Sequence, residues 1–306
     1  MSETPDFDLL SDVLRSLKLR VSLFKHGTYR GAWALDSKGI TRATLHFIGR
    51  GQVWVHRKGV REPLVLRGGD LVMFPRADWH QLSGTPKRLP GMRLGSDGEG
   101  APSTVLCAMV ELEPGTVNPV MSTLPPVLIV SSEDSATSAQ LHGIARVMLA
   151  EYDAGGPGRQ GILDRLAEVL FVLVLRQHMR QAQALTGFLA ALRDERIARS
   201  LAALHREPGA PWRVEALARE AGMSRTVFAE RFAQLLGQTP IQYLTAWRMQ
   251  LAEDLLREDR RSVAQVADRL GYQTEAAFRR AFKRVRSVSP GAVRRSPRGS
   301  REPAHD

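Results

Sequence analysis

The sequence of 306 residues contains a single cysteine, Cys107, which excludes an intrachain disulfide and favours a reducing compartment such as the cytoplasm. Long apolar runs are also absent. The longest, Val169–Leu175, has seven residues, whereas a membrane-spanning helix needs about 20. Residues 1–6 lack a basic segment followed by an apolar stretch, so no export signal is predicted. We therefore expect a cytoplasmic protein without a membrane partner.

Acidic side chains are outnumbered: 43 lysines and arginines against 32 aspartates and glutamates give a net charge of +11. The excess is concentrated in residues 188–306, which carry 22 basic and 14 acidic side chains. From Arg279 to Arg301 there are nine basic residues and no acidic one. Such a field attracts polyanions, either nucleic-acid phosphates or acidic lipids.

Residues from about 20 to 130 show short apolar runs separated by glycine-containing turns. Three of these runs are Ala43–Ile48, Gln52–His56 and Leu71–Phe74. Short strands at this spacing are typical of a β-sandwich or a small barrel.

After Ser131 the apolar residues recur with the period of a helix. One amphipathic helix is expected around Leu141–Leu149 and a second at about Ile162–Gln181, with a break at Gly155–Gly158. The two helices either pack on their own domain or form a helical interface between subunits.

The rest of the chain is helical by pattern and contains an internal repeat. The repeated positions are Leu217, Gly222, Ser224, Phe228, Phe232 and Pro240 in the first copy and Val266, Gly271, Thr274, Phe278, Phe282 and Pro290 in the second. From Ser224 and Thr274 onward the offset between the copies is a constant 50 residues.

Each copy has the parts of a helix-turn-helix. A short helix ends at Gly222 or Gly271, where glycine tolerates the left-handed backbone that closes a helix. Ser224 or Thr274 then follows as the expected N-cap of a second helix, whose inner face is anchored by two phenylalanines four residues apart. The outer face of that helix is free to enter a major groove.

A helix expected at about Ile241–Arg257 joins the two copies. At ~1.5 Å per residue it spans ~25 Å, which with the flanking turns suits two recognition helices one DNA turn apart, ~34 Å. The alternative is a helical-repeat scaffold, which needs about three stacked units, whereas this sequence has two.

On these residues the segment 188–295 resembles the double helix-turn-helix domain of the AraC/XylS family of bacterial transcription regulators. The stretch from Gly271 to Arg284, followed by Ser289-Pro290, matches the most recognisable motif of that family. Two positions depart from it. Ser287 stands where the family usually has glycine and Val293 where an aromatic residue is usual, and both follow the second recognition helix.

The resemblance implies recognition helices at about Arg225–Phe232 and Glu275–Phe282. The residues expected at the DNA are Ser224, Arg225, Thr226, Ala229 and Glu230 in the first unit and Thr274, Glu275, Ala276, Arg279, Arg280 and Lys283 in the second. Arginine can bind guanine bidentately, and glutamate can accept a hydrogen bond from cytosine. The alternative is that Arg279 and Arg280 contact only phosphates, which adds affinity without specificity.

The segment Gly69–His80 resembles the second sequence motif of the cupin family. Ala77 replaces the second glycine of that motif and Gly84 its asparagine. The first cupin motif is eroded, because Thr44 occupies its glutamate position and its paired histidines are absent.

His46 has the same strand parity as Thr44, so His46 and His80 are both expected to face the barrel interior. They are interpreted either as hydrogen-bonded core residues or as contacts to a metal ion or a small ligand. An oxygenase site is the least favoured interpretation, since two histidines without a carboxylate do not form the usual facial triad of iron.

The whole chain resembles those AraC/XylS regulators that have an N-terminal cupin-like domain, one of which responds to reactive chlorine species by cysteine oxidation. Cys107 lies at the position of that relative's second cysteine, but the partner cysteine is missing. Cys107 is therefore either an inert core thiol or a site of sulfenylation or of a bond between subunits.

The sequence thus predicts an α+β fold of two domains: a cupin-like β-barrel at residues 1–131, a helical linker or dimerisation segment at 132–187, and an all-α DNA-binding domain at 188–306 with helix-turn-helix units at about 213–237 and 262–288. The expected function is sequence-specific binding of double-stranded promoter DNA, and the resemblance implies activation through RNA polymerase. The barrel is expected to sense a small molecule, a metal or an oxidant. A homodimer is left open, and no cofactor is expected. The alternatives are a barrel that only dimerises and a cupin-type metalloenzyme.

Overall fold

The computed structural model describes residues 8–16, 20–93, 100–111, 120–132, 135–182, 185–258 and 261–295. They divide into two compact units. One unit contains the strands and two long helices within residues 20–185, and the other contains residues 8–16 and the helices after residue 186. No helix in these described ranges combines the length and the apolar character needed to cross a membrane.

The first unit is built from two antiparallel sheets. The five-stranded sheet has the order β1 (Arg20–Tyr29), β8 (Ser103–Glu111), β3 (Ala43–Arg50), β6 (Leu71–Phe74) and β9 (Leu128–Val130). The four-stranded sheet has the order β2 (Ala34–Asp36), β7 (His80–Ser83), β4 (Gln52–Arg57) and β5 (Leu64–Arg67). Both sheets contribute to one core, which includes Trp33, Val53, Phe74, Leu82 and Val105. This arrangement confirms the expected cupin-like β-domain.

Two helices follow the strands, α2 (Ser135–Ala154) and α3 (Arg159–Gln181), and the glycine-rich break lies between them as expected. The two helices pack against each other, and α3 also packs on β1 and β9. The inner side of α3 is fully buried at Ala167 and Phe171. Its outer side exposes Ile162 and Val169, which lie two turns apart on one face.

The second unit is helical. Its elements are α1 (Leu9–Ser16), α4 (Gly187–Arg193), α5 (Glu195–Arg206), α6 (Val214–Glu220), α7 (Arg225–Leu236), α8 (Pro240–Glu258), α9 (Val263–Arg269), α10 (Glu275–Arg286) and α11 (Pro290–Arg295). Helix α1 packs on α5. Residues 8–16 therefore lie in this unit, although the sequence placed them with the barrel at residues 1–131.

The two recognition helices extend four residues beyond the expected ends at Phe232 and Phe282. Each is closed by a residue in the left-handed conformation, Gly237 at φ +70° and Ser287 at φ +61°. Ser287 thus has the backbone shape that the usual family glycine would adopt. This shape costs a residue with a Cβ atom roughly 1–2 kcal/mol.

Candidate DNA interface and barrel interior

Each helix-turn-helix has a left-handed glycine followed by a hydroxyl N-cap. Gly222 has φ +62° and Gly271 has φ +75°. Ser224 Oγ accepts a hydrogen bond from the backbone N–H of Val227 at 3.4 Å, and Thr274 Oγ1 accepts one from Ala277 at 3.2 Å. The two hydroxyls therefore fix where α7 and α10 begin.

The phenylalanine pairs fix which side of each recognition helix faces the solvent. All four side chains, Phe228, Phe232, Phe278 and Phe282, are fully buried. Among the residues expected at the DNA, Ala229 and Glu275 are half-buried and the other nine are exposed. The structure thus gives every one of these residues some access to solvent, and their contact with DNA stays a prediction.

The arginines of the recognition helices differ in their surroundings. Arg225 Nε lies 2.9 Å from Glu215 Oε1. Arg279 is held by Glu275 one turn earlier, with Nε and Nη2 each 2.6 Å from Oε1. Arg280 is exposed and forms no ion pair with the described residues. Arg280 can therefore bind a phosphate or a base directly. Arg279 must first give up its ion pair with Glu275.

Arg248 of α8 ties the two helix-turn-helix units together. Its Nε donates to the carbonyl oxygen of Pro208 at 2.7 Å, and its Nη2 donates to that of Ala210 at 2.8 Å. The same guanidinium lies 5.6 Å from the ring centroid of Tyr272, in the turn of the second unit. The loop before α6, the connecting helix and the second turn are thus fixed against each other.

A buried ion-pair cluster joins α8 to α10. Glu253 lies 2.6 Å from Arg257 Nη2 and 3.0 Å from Arg286 Nε. Arg286 is 6% exposed at its side chain and also donates to the side-chain oxygen of Gln250. This cluster fixes the last turn of the second recognition helix on the connecting helix.

Asp194 fixes the first recognition helix, α7, against the start of α5. It caps α5 by accepting from the N–H of Ile197 at 3.2 Å, and it accepts from Arg231 Nε of α7 at 2.9 Å. Burial alone would raise the pKa of Asp194, but the hydrogen bonds from Arg231 and Ile197 outweigh it and hold that pKa below its usual value. Sequence reasoning missed these positioning residues.

In the barrel unit, the two histidines predicted to face the interior meet. His46 Nε2 and His80 Nε2 are 2.8 Å apart, and His80 Nδ1 lies 2.8 Å from the carbonyl oxygen of Asp78. A carbonyl can only accept, so His80 carries its proton on Nδ1 and accepts from His46 through Nε2. His46 Nδ1 is then an acceptor, and it is buried without a hydrogen-bond partner.

Both rings are neutral at physiological pH. Burial, and secondarily the neighbouring His80, holds the pKa of His46 well below 6.5, while burial lowers the pKa of His80 to about 4. The ring of Phe74 stacks on His80 at 3.7 Å. No group of three His, Cys, Asp or Glu side chains in the described parts of the chain could hold a metal ion. The donor set does not fit a metal ion, which leaves hydrogen-bonded core residues or contacts to a small ligand as the interpretations of the pair.

The altered cupin motif keeps the backbone shape that positions His80. Ala77, which replaces the motif glycine, has φ +57° and is left-handed like a glycine. Asp78, whose carbonyl fixes the tautomer of His80, follows directly. The loss of the motif glycine has therefore not changed the turn.

Cys107 is directly opposite His46 in the β3–β8 ladder and is buried. Burial raises the pKa of its thiol to about 12, and the nearby Lys25 only partly offsets that rise. Because the thiolate is the form that oxidants attack, this environment favours the interpretation of Cys107 as an inert core thiol.

Acidification should destabilise the barrel unit. An unfolded histidine has a pKa near 6.5, so the folded state binds fewer protons than the unfolded chain below that pH. The contribution of the buried neutral histidines to the free energy of unfolding is therefore full above pH 6.5. It decreases as the pH is lowered to about 4, the pKa of His80 in the folded state. His80 alone accounts for about 3 kcal/mol of this loss. We expect the urea midpoint of unfolding to decrease between pH 7 and pH 4.5, and to decrease less steeply with pH in His80→Gln. Equal dependence on pH in wild type and His80→Gln would show that His80 is not the cause.

Comparisons with known proteins agree with this architecture. The chain matches the family described as Cupin over residues 8–180 and the family described as Helix-turn-helix domain over residues 217–296. It is 31% identical over 301 residues to a protein of Streptomyces lividans described as an AraC-like transcription regulator, covering 95% of this chain and 99% of that one. It is 26% identical over 234 residues to RclR of Escherichia coli, named an RCS-specific HTH-type transcriptional activator, covering 76% of this chain and 78% of that one.

The chain also matches a solved structure, the DNA-binding domain of AdpA in complex with a target DNA. The match has 37% identity and a TM-score of 0.31, and it covers 32% of this chain and 87% of the AdpA domain. A cupin domain followed by a helix-turn-helix domain defines the class of this protein, a DNA-binding transcriptional regulator. Within that class, the chain belongs to the AraC family of regulators.

Proposed function

We propose that the protein is a cytoplasmic activator that reads two successive major grooves of a promoter and contacts RNA polymerase there, without enzymatic activity of its own. The observation that carries this proposal is the pair of N-capped helices, α7 and α10, joined by the 19-residue helix α8. At about 1.5 Å per residue, α8 spans about 28 Å. That length, together with Arg248 and the Glu253 cluster, suits two recognition helices held at a fixed separation.

Replacement of the recognition arginines tests this proposal. After a footprint has defined the operator, Arg280→Ala or Arg279→Ala should each weaken operator binding by about 1–3 kcal/mol and random DNA by much less, because a bidentate contact to guanine is lost. Arg280→Ala is expected to have the larger effect, since Arg279 must first leave Glu275.

Arg196→Ala on α5 removes the same charge from an exposed site of the same unit and serves as the control. Binding is measured at one fixed salt concentration, because phosphate contacts depend on salt. Equal losses on operator and random DNA would show that the arginines contact only phosphates. A protected region shorter than one helical turn would contradict the use of both helices.

For the barrel unit, we propose that a small-molecule effector binds at the histidine pair. The support is the buried, unpartnered Nδ1 of His46, which offers an acceptor to a ligand with a polar hydrogen. A promoter-reporter screen with candidate effectors and oxidants, run on wild type, His46→Leu and Cys107→Ser, tests it. A response that is unchanged in His46→Leu would remove the effector from this site, and one lost in Cys107→Ser would point to oxidation instead.

A barrel that only dimerises is the second candidate, and the exposed stripe formed by Ile162 and Val169 on α3 favours some self-association. We propose a homodimer through this stripe. Sedimentation velocity of the full chain at micromolar concentration measures it, and a monomer at all concentrations would rule it out.

A further inference from the structure

The four-stranded sheet carries a groove that the functions above do not use. The alternating residues Leu35, Val55 and Leu82 of this sheet point into the barrel core. Their neighbours Asp36, His56 and Gln81 are register partners, and by strand alternation they face away from the core. The groove has a volume of about 1200 Å³, and Asp36, His56 and Trp79 are among the residues that line it.

One wall of the groove is a loop fixed to the sheet. The side-chain amide of Gln81 donates to the carbonyl oxygens of Leu89 at 2.9 Å and Gly91 at 3.3 Å. Trp79 Nε1 donates to Asp36 Oδ1 at 2.8 Å, and the guanidinium of Arg88 lies 4.3 Å from the centroid of the Trp79 ring. The groove is therefore a built feature rather than a gap between freely moving loops.

The lining is strongly basic. Six of its side chains are cationic: Lys38, Arg57, Lys58, Arg61, Lys87 and Arg88. The single carboxylate, Asp36, already accepts from Trp79 Nε1 and from the backbone N–H of Lys38. None of the six cations forms an ion pair with a residue that the structure describes. Six cations against one carboxylate on a concave surface create a strong local attraction for anions.

One lining residue that faces away from the core also carries an unpaired buried nitrogen. His56 is 7% exposed, and its Nε2 has no hydrogen-bond partner. Buried polar atoms in folded proteins are nearly always paired, so this exception in a residue that lines the groove calls for an explanation. An anionic ligand with several acceptor oxygens would supply that partner.

We propose that this groove binds a small organic molecule whose phosphoryl groups carry at least two negative charges. Phosphate is favoured over carboxylate because a phosphoryl group carries about −1.5 to −2 charge at pH 7 and three acceptor oxygens, which suits a groove lined by six cations better than a singly charged carboxylate does. A small molecule is favoured over DNA because the site is concave, as small-molecule sites are. This binding is independent of operator recognition, so its failure leaves the proposed function untouched.

The test measures binding to the full-length chain without DNA. Calorimetry at physiological salt uses inorganic pyrophosphate and fructose 1,6-bisphosphate as probes, with citrate as the carboxylate comparison. Both phosphate probes should bind at one site per chain and more tightly than citrate. Lys58→Ala/Arg61→Ala should weaken phosphate binding about tenfold or more, since two charge-assisted contacts are lost.

The control variant Arg146→Ala/Arg165→Ala removes two exposed cations from the helices of the same unit and should keep the wild-type affinity. His56→Gln, which retains an N–H donor, should bind more tightly than His56→Leu. Equal losses in the groove and control variants would reduce the effect to net charge and overturn the proposal. Citrate binding as tightly as the phosphates would also overturn it, as would a groove variant that weakens only DNA binding.

Discussion

Gly271→Ala should abolish operator binding, whereas Gly222→Ala should leave a measurable affinity. Both glycines have a positive φ, so alanine is strained at either site by roughly 1–2 kcal/mol. The surroundings differ. A Cβ atom at Gly271 would collide with the backbone carbonyl oxygen of Gly209, whereas at Gly222 it would make only an ordinary contact with Arg199 Nη2 at 3.6 Å.

The collision has a consequence for DNA binding because Gly209 lies in the loop that precedes the first helix-turn-helix. Backbone cannot rotate aside as a side chain can, so alanine at position 271 must push the second turn away from that loop. The Arg248 hydrogen bonds to Pro208 and Ala210 would then be strained as well. We expect the two recognition helices to lose their relative placement, which two-groove binding requires.

Electrophoretic mobility shifts on the operator, with hydrogen exchange of each variant as a folding check, measure this effect. Loss of binding in Gly271→Ala with protection of α7 and α10 retained would show that placement rather than folding has changed. If the two alanine variants bind equally well, the contact between Gly209 and Gly271 has no part in DNA recognition.

The local features of the DNA-binding domain could be predicted from sequence because each depends on neighbours in the chain. A glycine, a hydroxyl residue and phenylalanines four apart are enough to place a turn, an N-cap and a buried face. The same holds for the strand Leu71–Phe74, whose predicted and observed bounds agree. The recognition helices extend past their predicted ends because apolar periodicity marks the buried face and says little about where a helix stops.

The residues that hold the units in place could not be predicted, since their partners are distant in sequence. Arg248 bonds to carbonyls about 40 residues earlier, and Arg231 to a carboxylate 37 residues earlier. Arginines are frequent in this sequence, and nothing in the local pattern separates these two from the exposed ones. The position of α1 on α5 is likewise a long-range contact that carries no sequence signal.

Ala77 and Ser287 show how departures from a motif can mislead. Each replaces a glycine of a known motif, and by residue type each suggests that the motif has decayed. Each nevertheless keeps the left-handed backbone of the glycine it replaces. The turns before His80 and after α10 are therefore preserved at a cost in stability. The loss of the motif glutamate at Thr44 is different, because a side-chain ligand has no backbone substitute.

Glu253→Ala should destabilise the DNA-binding unit by about 3 kcal/mol or more, because removing one member of a buried ion pair leaves its partners without the carboxylate they share. Arg286 and Glu253 are 6% and 14% exposed at their side chains, so water cannot easily replace the missing charge. Glu215→Ala is the matched control. It removes a carboxylate paired with Arg225, but those side chains are 53% and 70% exposed, and such pairs contribute about 0–1 kcal/mol.

Hydrogen exchange resolved by segment is the appropriate measurement, since it reports on α8 and α10 separately from the barrel. Glu253→Ala should lose protection in both helices and leave the strands unchanged, while Glu215→Ala should match wild type. Glu253→Gln should lie between them, because an amide oxygen can still accept from one guanidinium. If Glu253→Ala and Glu215→Ala are equally stable, the cluster does not fix α10, and the separation of the recognition helices must depend on Arg248 and the phenylalanine core instead.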